Sequence, residues 1–247
     1  MAFSHGKDTK VYVSGYDLTL FLNSATTTMN ADLAETSTFG STYKAFVAGL
    51  IDSKMSLGGF FDPTAGATDA VMTSLLGIDT YLALLPQGDA FGMRGRGMHG
   101  VEITYEITTG LDGAAAVSIE AQSKKGAEAI IVNTPKAAKT TTGNDASGYN
   151  SGVGGGTTAG WSAFLQAFAI SGTGPPTLAV KLQDSADNSA FADVSGGAFA
   201  TLSAANANVP GGQRIEGTGT LRQYTRFLWT VTGGTPSFTI FAAHVRK

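Results

Sequence analysis

Alternation of apolar and polar residues predicts a protein built mainly from β-strands. The clearest runs are 101–108 and 117–122, joined by a turn at 111–113. Alternate side chains of a strand point to opposite faces. The residues predicted to face inward are Val101, Ile103, Tyr105, Ile107, Val117, Ile119 and Ala121. The opposite face carries Glu102, Glu106 and Glu120, so this hairpin is predicted to have one acidic face.

A second, longer hairpin is predicted at about 24–61. A Thr-rich strand at 26–34 and an alternating strand at 51–61 are separated by a loop at 35–49. In the second strand Ile51, Met55, Leu57 and Phe61 share one side with Ser53 and Gly59, and the opposite side is polar. Loops of this length are uncommon in compact domains unless they have a function.

One helix is predicted, at about 68–76. Thr68 is a candidate N-cap, Asp69 favours the first turn, and Gly77 ends the helix. A helix this short requires packing on a sheet for its stability.

The residue pattern in the last third of the chain predicts a separate β domain. Residues 141–160 are rich in Gly, Ser, Thr and Asn, which is typical of a flexible linker or exposed loop. Strand-like runs follow at 161–170, 177–183, 198–202, 213–218, 221–231 and 237–245. Their spacing predicts a C-terminal β-sandwich at 161–247, after an N-terminal domain at 1–140.

Composition limits the possible functions. Charged residues make up only 14% of the chain, so its surface is poorly protected against association, although an ordinary turn-rich β protein has a similar composition. A net charge of -3 without a basic run disfavours gripping of DNA. The absence of cysteine excludes disulfides and thiol nucleophiles. The start MAFSHGKDTK lacks an apolar segment, and no apolar run approaches the ~20 residues that span a bilayer, so secretion and membrane spanning are disfavoured.

Motifs for catalysis or cofactor binding are weak. Residues 95–100 match G-x-G-x-x-G, but an alternating strand follows instead of a helix, so a turn is favoured over a nucleotide site. The histidines His5, His99 and His244 lack metal-ligand spacing, and no G-x-S-x-G motif occurs. The sequence therefore predicts no enzyme, cofactor or metal site.

Two polar groups leave alternatives open. The side chains of Asp184, Asp187, Asn188 and Asp193 could bind calcium, but their spacing is more typical of Asx turns. Arg222, Tyr224 and Arg226 share one side of a strand and could bind an anion or a sugar, although salt bridging is the more ordinary use. A surface module that binds glycans through Trp161, Tyr224 and Trp229 is the alternative function.

Segment 23–63 contains ETSTFG, then Tyr43, then VAGLIDSKMSLGGFFD. With YLALLPQG, QDSADNSAFADV, RQYTRF and FAAHVRK, it resembles the major tail tube proteins of long-tailed, siphovirus-type and actinophage-like bacteriophages. In that family a Thr-Phe-Gly turn, a Gly-Leu pair and a Gly-x-Phe-Asp strand ending recur. The resemblance implies a tail-tube-type β-sandwich or barrel with one short flanking helix, and an accessory C-terminal β domain.

The resemblance also implies a structural, non-enzymatic role. Six copies would form a ring, and rings would stack into a tube through the long hairpin. The inter-ring contact would involve Thr38, Phe39, Gly40, Tyr43, Phe46 and Gly49, while Glu102, Glu106 and Glu120 would line the lumen. Like charge there would keep DNA from sticking in transit. A duplicated fold could close the ring with three copies, but no internal repeat supports it.

The implied partners are further copies of the chain, the tape measure protein and the tail terminator and tip proteins. The implied location is the virion tail, after assembly in the cytoplasm of the bacterial host.

Overall fold

A computed structural model describes residues 6–38, 42–111, 113–152, 159–206 and 209–247. Within these ranges the chain forms fourteen strands and one α-helix, α1 (Thr68–Leu75), which confirms the mainly-β prediction. The strands are β1 (Lys10–Val13), β2 (Tyr16–Asp17), β3 (Leu22–Glu35), β4 (Phe46–Phe60), β5 (Asp79–Leu85), β6 (Arg94–Thr108), β7 (Ala116–Lys139), β8 (Gly143–Asn144), β9 (Tyr149–Asn150), β10 (Trp161–Ser185), β11 (Ala192–Ala198), β12 (Leu202–Ser203), β13 (Gly211–Gly217) and β14 (Tyr224–Arg246). Short 3₁₀ turns lie at Gly6–Asp8 and Ala204–Asn206. None of the helices in the described ranges has the length and apolarity needed to cross a membrane.

The chain divides into two compact units, and both are discontinuous in sequence. Unit 1 comprises Met1–Leu20, Thr80–Gly97 and Glu128–Lys247, and unit 2 comprises Phe21–Asp79 and Met98–Ala127. The predicted division into 1–140, 141–160 and 161–247 therefore differs from the observed one. The reason is the length of β6 and β7, since each strand contributes residues to both units.

Unit 1 is organised by the pairing of two very long strands, β10 and β14. They run antiparallel from the Trp161 and Arg246 pair to the Ser185 and Tyr224 pair. Separate strands were predicted on either side of 171–176 and of 232–236, but each apparent turn is a register shift inside one strand. Glycine and proline at such positions are typical of bulges as well as of turns.

The core of unit 1 includes the apolar residues that alternate with the arginine row at 222–226. Leu221 and Phe227 are fully buried, and Trp229 is nearly so. They belong to one apolar cluster with Trp161, Leu165, Leu178, Leu182, Phe238 and Ile240. Burial of side chains this large supplies the main stabilisation of a β unit.

A buried glutamine joins three backbone segments of unit 1. The side chain of Gln166 accepts a hydrogen bond from the Gly15 amide at 3.0 Å. Its amide nitrogen donates to the carbonyl oxygens of Tyr12 at 3.3 Å and Tyr81 at 3.2 Å. The turn after β1 is thereby held against β10, and a buried polar group of this kind is stabilising only while its partners are in place.

The first part of the Gly/Ser/Thr-rich segment, up to residue 152, pairs with strand β14. Strands β8 and β9 both pair with β14, and the Asp145 amide donates to the Phe227 carbonyl at 3.0 Å. Asp145 Oδ2 accepts from the Phe227 amide at 2.7 Å. The predicted linker at 141–160 therefore begins as part of the unit 1 sheet, and residues 153–158 lie outside the described ranges.

Unit 2 contains the predicted long hairpin, formed by β3 and β4 and joined by a loop at 36–45. The strands are longer and the loop shorter than predicted. Ser53, Met55 and Leu57 are buried, as the alternation predicted, but Ile51 of the same side is 65% exposed because it lies beyond the part of β4 that pairs with β7. Strand β4 pairs in turn with β7 over Lys54–Phe60.

Helix α1 confirms the predicted position, with Val71 and Met72 buried. Its N-cap residue is Ala67, so the prediction that Thr68 caps the helix was wrong. The Thr68 hydroxyl instead donates to the Phe60 carbonyl at 2.7 Å and accepts from the Asp62 amide at 3.2 Å. These two hydrogen bonds of Thr68 connect the start of the helix to the end of β4.

The predicted inward face of β6 is confirmed only in part. Val101 and Tyr105 are half-buried, but Ile103 and Ile107 are about half exposed, and Glu102 of the opposite face is buried. Alternation identifies the two faces of a strand but not which of them is covered at each point along it.

A substitution at Gly15 tests the packing of the turn against β10. Gly15 has φ +84°, and a Cβ there would lie 2.2 Å from the Ala167 carbonyl oxygen and 2.3 Å from the Gly211 amide nitrogen. We expect Gly15→Ala to lower the free energy of unfolding by roughly 1 to 2 kcal/mol for the left-handed backbone, and by about 1 to 3 kcal/mol more for the clash.

Gly88→Ala is the matched control, because Gly88 has φ +81° and its nearest neighbour atom would be at 3.5 Å. Chemical denaturation of both variants measures the difference. Equal losses of stability would contradict the close approach at Gly15.

Candidate assembly surface

The far end of the β3–β4 hairpin is a two-stranded ribbon. Among the described residues β3 pairs only with β4, and β4 pairs with β7 only over Lys54–Phe60. From Phe46 to Ser53 the ribbon therefore has an unpaired edge on each side. An isolated two-stranded hairpin is at best marginally stable in water, and unpaired edges are templates for pairing with another chain.

Apolar side chains on this ribbon are exposed to solvent. Leu50 is 83% exposed and Ile51 is 65% exposed. The other large exposed apolar residues of the hairpin are Met29, Leu33, Tyr43, Phe46 and Val47. Large exposed apolar surfaces are typical of interaction sites, so this concentration of exposed apolar residues makes the ribbon a candidate interaction surface.

A bulge shapes the ribbon near its tip. The register passes from the Ala31 and Ile51 pair to the Leu33 and Ala48 pair, so Gly49 and Leu50 together oppose Asp32. A Cβ on Gly49 would lie 3.2 Å from the Asp32 Cβ. Bulges bend a strand and increase its twist, so the bulge sets the direction in which Leu50 projects.

The residues predicted for an inter-ring contact are only partly described. Thr38, Tyr43 and Phe46 are exposed, and Gly49 lies in the bulge. Phe39 and Gly40 fall outside the described residues. Whether these residues contact a neighbouring ring stays a prediction.

The three predicted lumen carboxylates have different surroundings. Glu102 is 1% exposed, and neither of its carboxylate oxygens has a hydrogen-bond partner among the described residues. Burial raises the pKa of Glu102 from 4.5 to about 8, so the folded protein holds this group as a neutral acid at neutral pH.

Glu120 and Glu106 remain accessible. Glu120 forms an ion pair of 2.6 Å with Lys54, which offsets its charge. Glu106 is exposed on β6. The continuous acidic face predicted for this hairpin is therefore interrupted, since Glu102 is buried and Glu120 is paired.

The glycine-rich motif at 95–100 lies within strand β6, so it lacks the loop and helix of a nucleotide site. A Cβ on Gly95 would lie 2.4 Å from the Leu84 carbonyl oxygen, and one on Gly97 would lie 2.6 Å from Ile130 Cγ2. These glycines permit close packing of strands.

His99 and His244 have different environments, and His5 is outside the described residues. His99 Nε2 lies 3.3 Å from Asp79 Oδ2. His244 is fully buried, with Nδ1 donating to Asn133 Oδ1 and Nε2 accepting from the Thr225 hydroxyl at 3.1 Å. Burial lowers the pKa of His244 to about 3, so the ring is neutral. The described residues contain no group of side chains arranged to hold a metal ion.

The acidic cluster at 184–193 is used in turns and ion pairs. Asp187 accepts hydrogen bonds from the Ser189 amide at 2.9 Å and the Ala190 amide at 3.0 Å, as in an Asx turn. Asp193 pairs with Lys181 at 2.9 Å.

The predicted arginine row also forms internal contacts. Arg222 pairs with Asp184 at 2.7 Å, which confirms salt bridging. Arg226 donates to Gln183 at 3.0 Å, and its guanidinium lies 3.9 Å from the Phe191 ring centre.

The three aromatic residues considered for glycan binding do not form a common surface. Trp161 is 1% exposed, so it is a core residue and is not available to a glycan. Trp229 lines a cavity in unit 1, and Tyr224 does not.

One charged cluster in unit 1 was not predicted from the sequence. Arg214 binds Glu128 through two hydrogen bonds of 2.8 Å, and Glu216 and Lys247 join them. Burial would raise the pKa of Glu128, but the hydrogen bonds from Arg214 and Lys247 outweigh it and lower the pKa. Its members lie far apart in sequence, so no local pattern could have revealed it.

Comparison with known proteins gives no family assignment. No family model matches the chain, and no curated protein matches it. Among solved structures, the virion of a native gene transfer agent particle contains a chain with 15% identity and a TM-score of 0.42, covering 51% of this chain and 98% of that one. The tail of an empty gene transfer agent particle with C6 symmetry gives the same values.

The SPP1 Dit protein, named as a paradigm of the hub adsorption apparatus in phages that infect Gram-positive hosts, has 12% identity and a TM-score of 0.40. This match covers 96% of this chain and 98% of that one. TM-scores of this size do not establish a shared fold or a shared function.

Glu102 predicts a specific pH dependence of stability. The pKa is about 8 in the folded state and 4.5 for an exposed glutamate, so unfolding releases a proton between these values. The free energy of unfolding should therefore fall as pH rises from 4.5 to about 8, by up to about 1.4 kcal/mol per pH unit. Below pH 4.5 Glu102 is protonated in both the folded and the unfolded state, so this group no longer changes the free energy of unfolding with pH.

Glu102→Gln should remove this dependence, because an amide does not ionise. Denaturant unfolding across the pH range compares it with wild type and with Glu106→Gln, whose exposed position makes it the control on the same strand. A wild type and a Glu102→Gln variant with parallel pH profiles would contradict a neutral buried Glu102.

Proposed function

We propose that this protein is a structural subunit of a bacteriophage tail, and that copies of it assemble into stacked six-membered rings that form the tail tube. The observation that carries the proposal is the β3–β4 ribbon, which has two unpaired edges and exposed Leu50 and Ile51. The sequence of the same hairpin carries the tail-tube resemblance. The ribbon is thus the element that a neighbouring copy would cover.

In a closed ring, the unpaired strand edges of the ribbon would pair with a neighbouring copy. A strand edge that pairs with a neighbour in a closed ring leaves no free end for uncontrolled aggregation. The half-exposed Ile103 and Ile107 on β6 offer a second apolar surface in the same unit. Burial of both surfaces would add about 25 cal/mol for each square ångström of apolar area removed from water.

The remaining parts of the proposal concern the lumen and the partners. Glu106 and Glu120 are the acidic residues proposed to face passing DNA, which is not bound specifically. Thr38, Phe39, Gly40, Tyr43, Phe46 and Gly49 are proposed to contact the adjacent ring. The proposed partners are the tape measure protein and the terminator and tip proteins, in a virion tail assembled in the host cytoplasm, and no catalytic step is involved.

Leu50→Lys tests the role of the ribbon. Leu50 is 83% exposed, so the folded single chain should tolerate lysine. A lost apolar contact at the centre of an interface costs about 2 kcal/mol, which should raise the critical concentration for tube growth about thirtyfold. Electron microscopy and sedimentation velocity measure rings and tubes, and circular dichroism checks the fold.

Leu20→Lys is the matched control, because Leu20 is 91% exposed but lies outside the hairpin. It should assemble like wild type. A wild-type protein that stays monomeric at high concentration and with tail-tip proteins present would overturn the proposal, as would normal tube growth of Leu50→Lys.

A further inference from the structure

Unit 1 contains a cavity of about 420 Å³ that the proposed tube function does not use. It lies between strand β7, the segment 144–147 and Trp229 of β14. Its volume falls within the range of small-molecule sites, which is roughly 300 to 1,000 Å³. All of its lining residues belong to unit 1.

The floor of the cavity is polar, buried and fixed by internal hydrogen bonds. Asn133 donates to the Thr225 carbonyl at 2.8 Å and accepts from His244. Asp145 accepts from the Thr134 hydroxyl at 2.8 Å and from the Phe227 amide at 2.7 Å. Because these groups are already satisfied, the floor is preformed and a ligand would not have to order it.

A lysine is held over the aromatic wall. Lys139 Nζ lies 4.2 Å from the centre of the Trp229 ring, and the indole nitrogen of that ring donates to the Thr141 carbonyl at 3.0 Å. Within the described part of the chain Lys139 has no hydrogen bond or ion pair. Burial lowers the pKa of Lys139, and the nearby Asp145 opposes this effect. Lys139 is thus a positioned cation whose hydrogen-bond donors are available to a ligand.

The mouth of the cavity combines an aromatic surface with polar groups. Phe91 is 42% exposed, and its ring contacts Tyr149 edge-on at 6.3 Å between centroids. Asn144 and Ser147 are exposed at the rim. Asn144 uses its amide nitrogen to donate to the Asp145 carbonyl at 2.7 Å, which leaves its side-chain oxygen as an acceptor.

We propose that this cavity binds a saccharide unit that carries a carboxylate or phosphate. The anionic group pairs with Lys139, the apolar face of the sugar ring lies on Phe91, and the ring hydroxyls hydrogen bond with Asn144 and Ser147. A sugar ring matches this arrangement because it presents an apolar face and an edge of hydroxyls. An anion is favoured because Lys139 is the cation among the lining residues and has no carboxylate hydrogen-bonded to it among the described residues. The Asp145 carboxylate is already bound by the Thr134 hydroxyl and the Phe227 amide. The inference does not depend on tube assembly.

Calorimetric titration of the full-length protein tests the proposal with three probes: glucuronate, glucose 6-phosphate and glucose. The first two distinguish a carboxylate from a phosphate, and glucose lacks the charge. We expect at least one anionic sugar to bind more tightly than glucose, with an affinity that falls as salt is added. Lys139→Met should weaken this binding about tenfold or more, because a charge-assisted hydrogen bond is lost.

Lys139→Arg should retain most of the affinity because it keeps the positive charge. Phe91→Ala should weaken binding because it removes the ring under the sugar while Lys139 stays in place. Lys181→Met is the matched control, since Lys181 is a partly exposed lysine of unit 1 that pairs with Asp193 outside the cavity. Three results would each overturn the proposal: equal affinity for glucose and the anionic sugars, unchanged affinity of both Lys139→Met and Phe91→Ala, or no binding of any probe near its solubility limit.

Discussion

A two-stranded ribbon has no interior of its own, and this constraint governs unit 2. Strands β3 and β4 satisfy each other's backbone groups, but side chains such as Leu50 and Ile51 stay in water and both ribbon edges stay unpaired beyond Ser53. A chain that functioned as a single copy would shorten such a ribbon or charge its edges. Its length and apolar surface are the reason for the proposal that a neighbouring copy covers it.

The base of the same ribbon is stabilised differently. There β4 pairs with β7, Met55 and Leu57 are buried, and Thr68 connects the helix start to Phe60. Burial thus decreases along the hairpin from its base towards Phe46, and segments with few buried apolar contacts have low local stability. The neutral, buried Glu102 belongs to this base, where its burial costs stability that a purely structural apolar residue would not cost.

Local patterns predicted the elements of this fold better than their connections. The alternation around Met55 and Val117 identified buried faces correctly, because those strands have a clear difference between their two sides. On β6 the alternation is just as clear, but it could not show that Glu102 lies inside and Ile103 outside, since the period of a strand is the same for both phases. Glycine and proline at 172–176 resembled a turn, although β14 pairs on both sides of them and makes them a bulge. Of the candidate site, the ribbon was visible in the sequence, whereas the cavity was not.

The cavity was missed because its members depend on contacts between distant residues. Composition around Asp145 indicates flexibility, yet its carboxylate binds the amide of Phe227, which is 82 residues away in the chain. With that contact in place, the segment 144–147 forms one wall of the cavity. Affinity for a small ligand benefits when no segment has to be ordered on binding. The proposed self-assembly through the ribbon depends instead on exposed apolar residues such as Leu50 and Ile51. The two proposed functions therefore draw on differently stabilised parts of the chain, and a substitution that impairs one should leave the other intact.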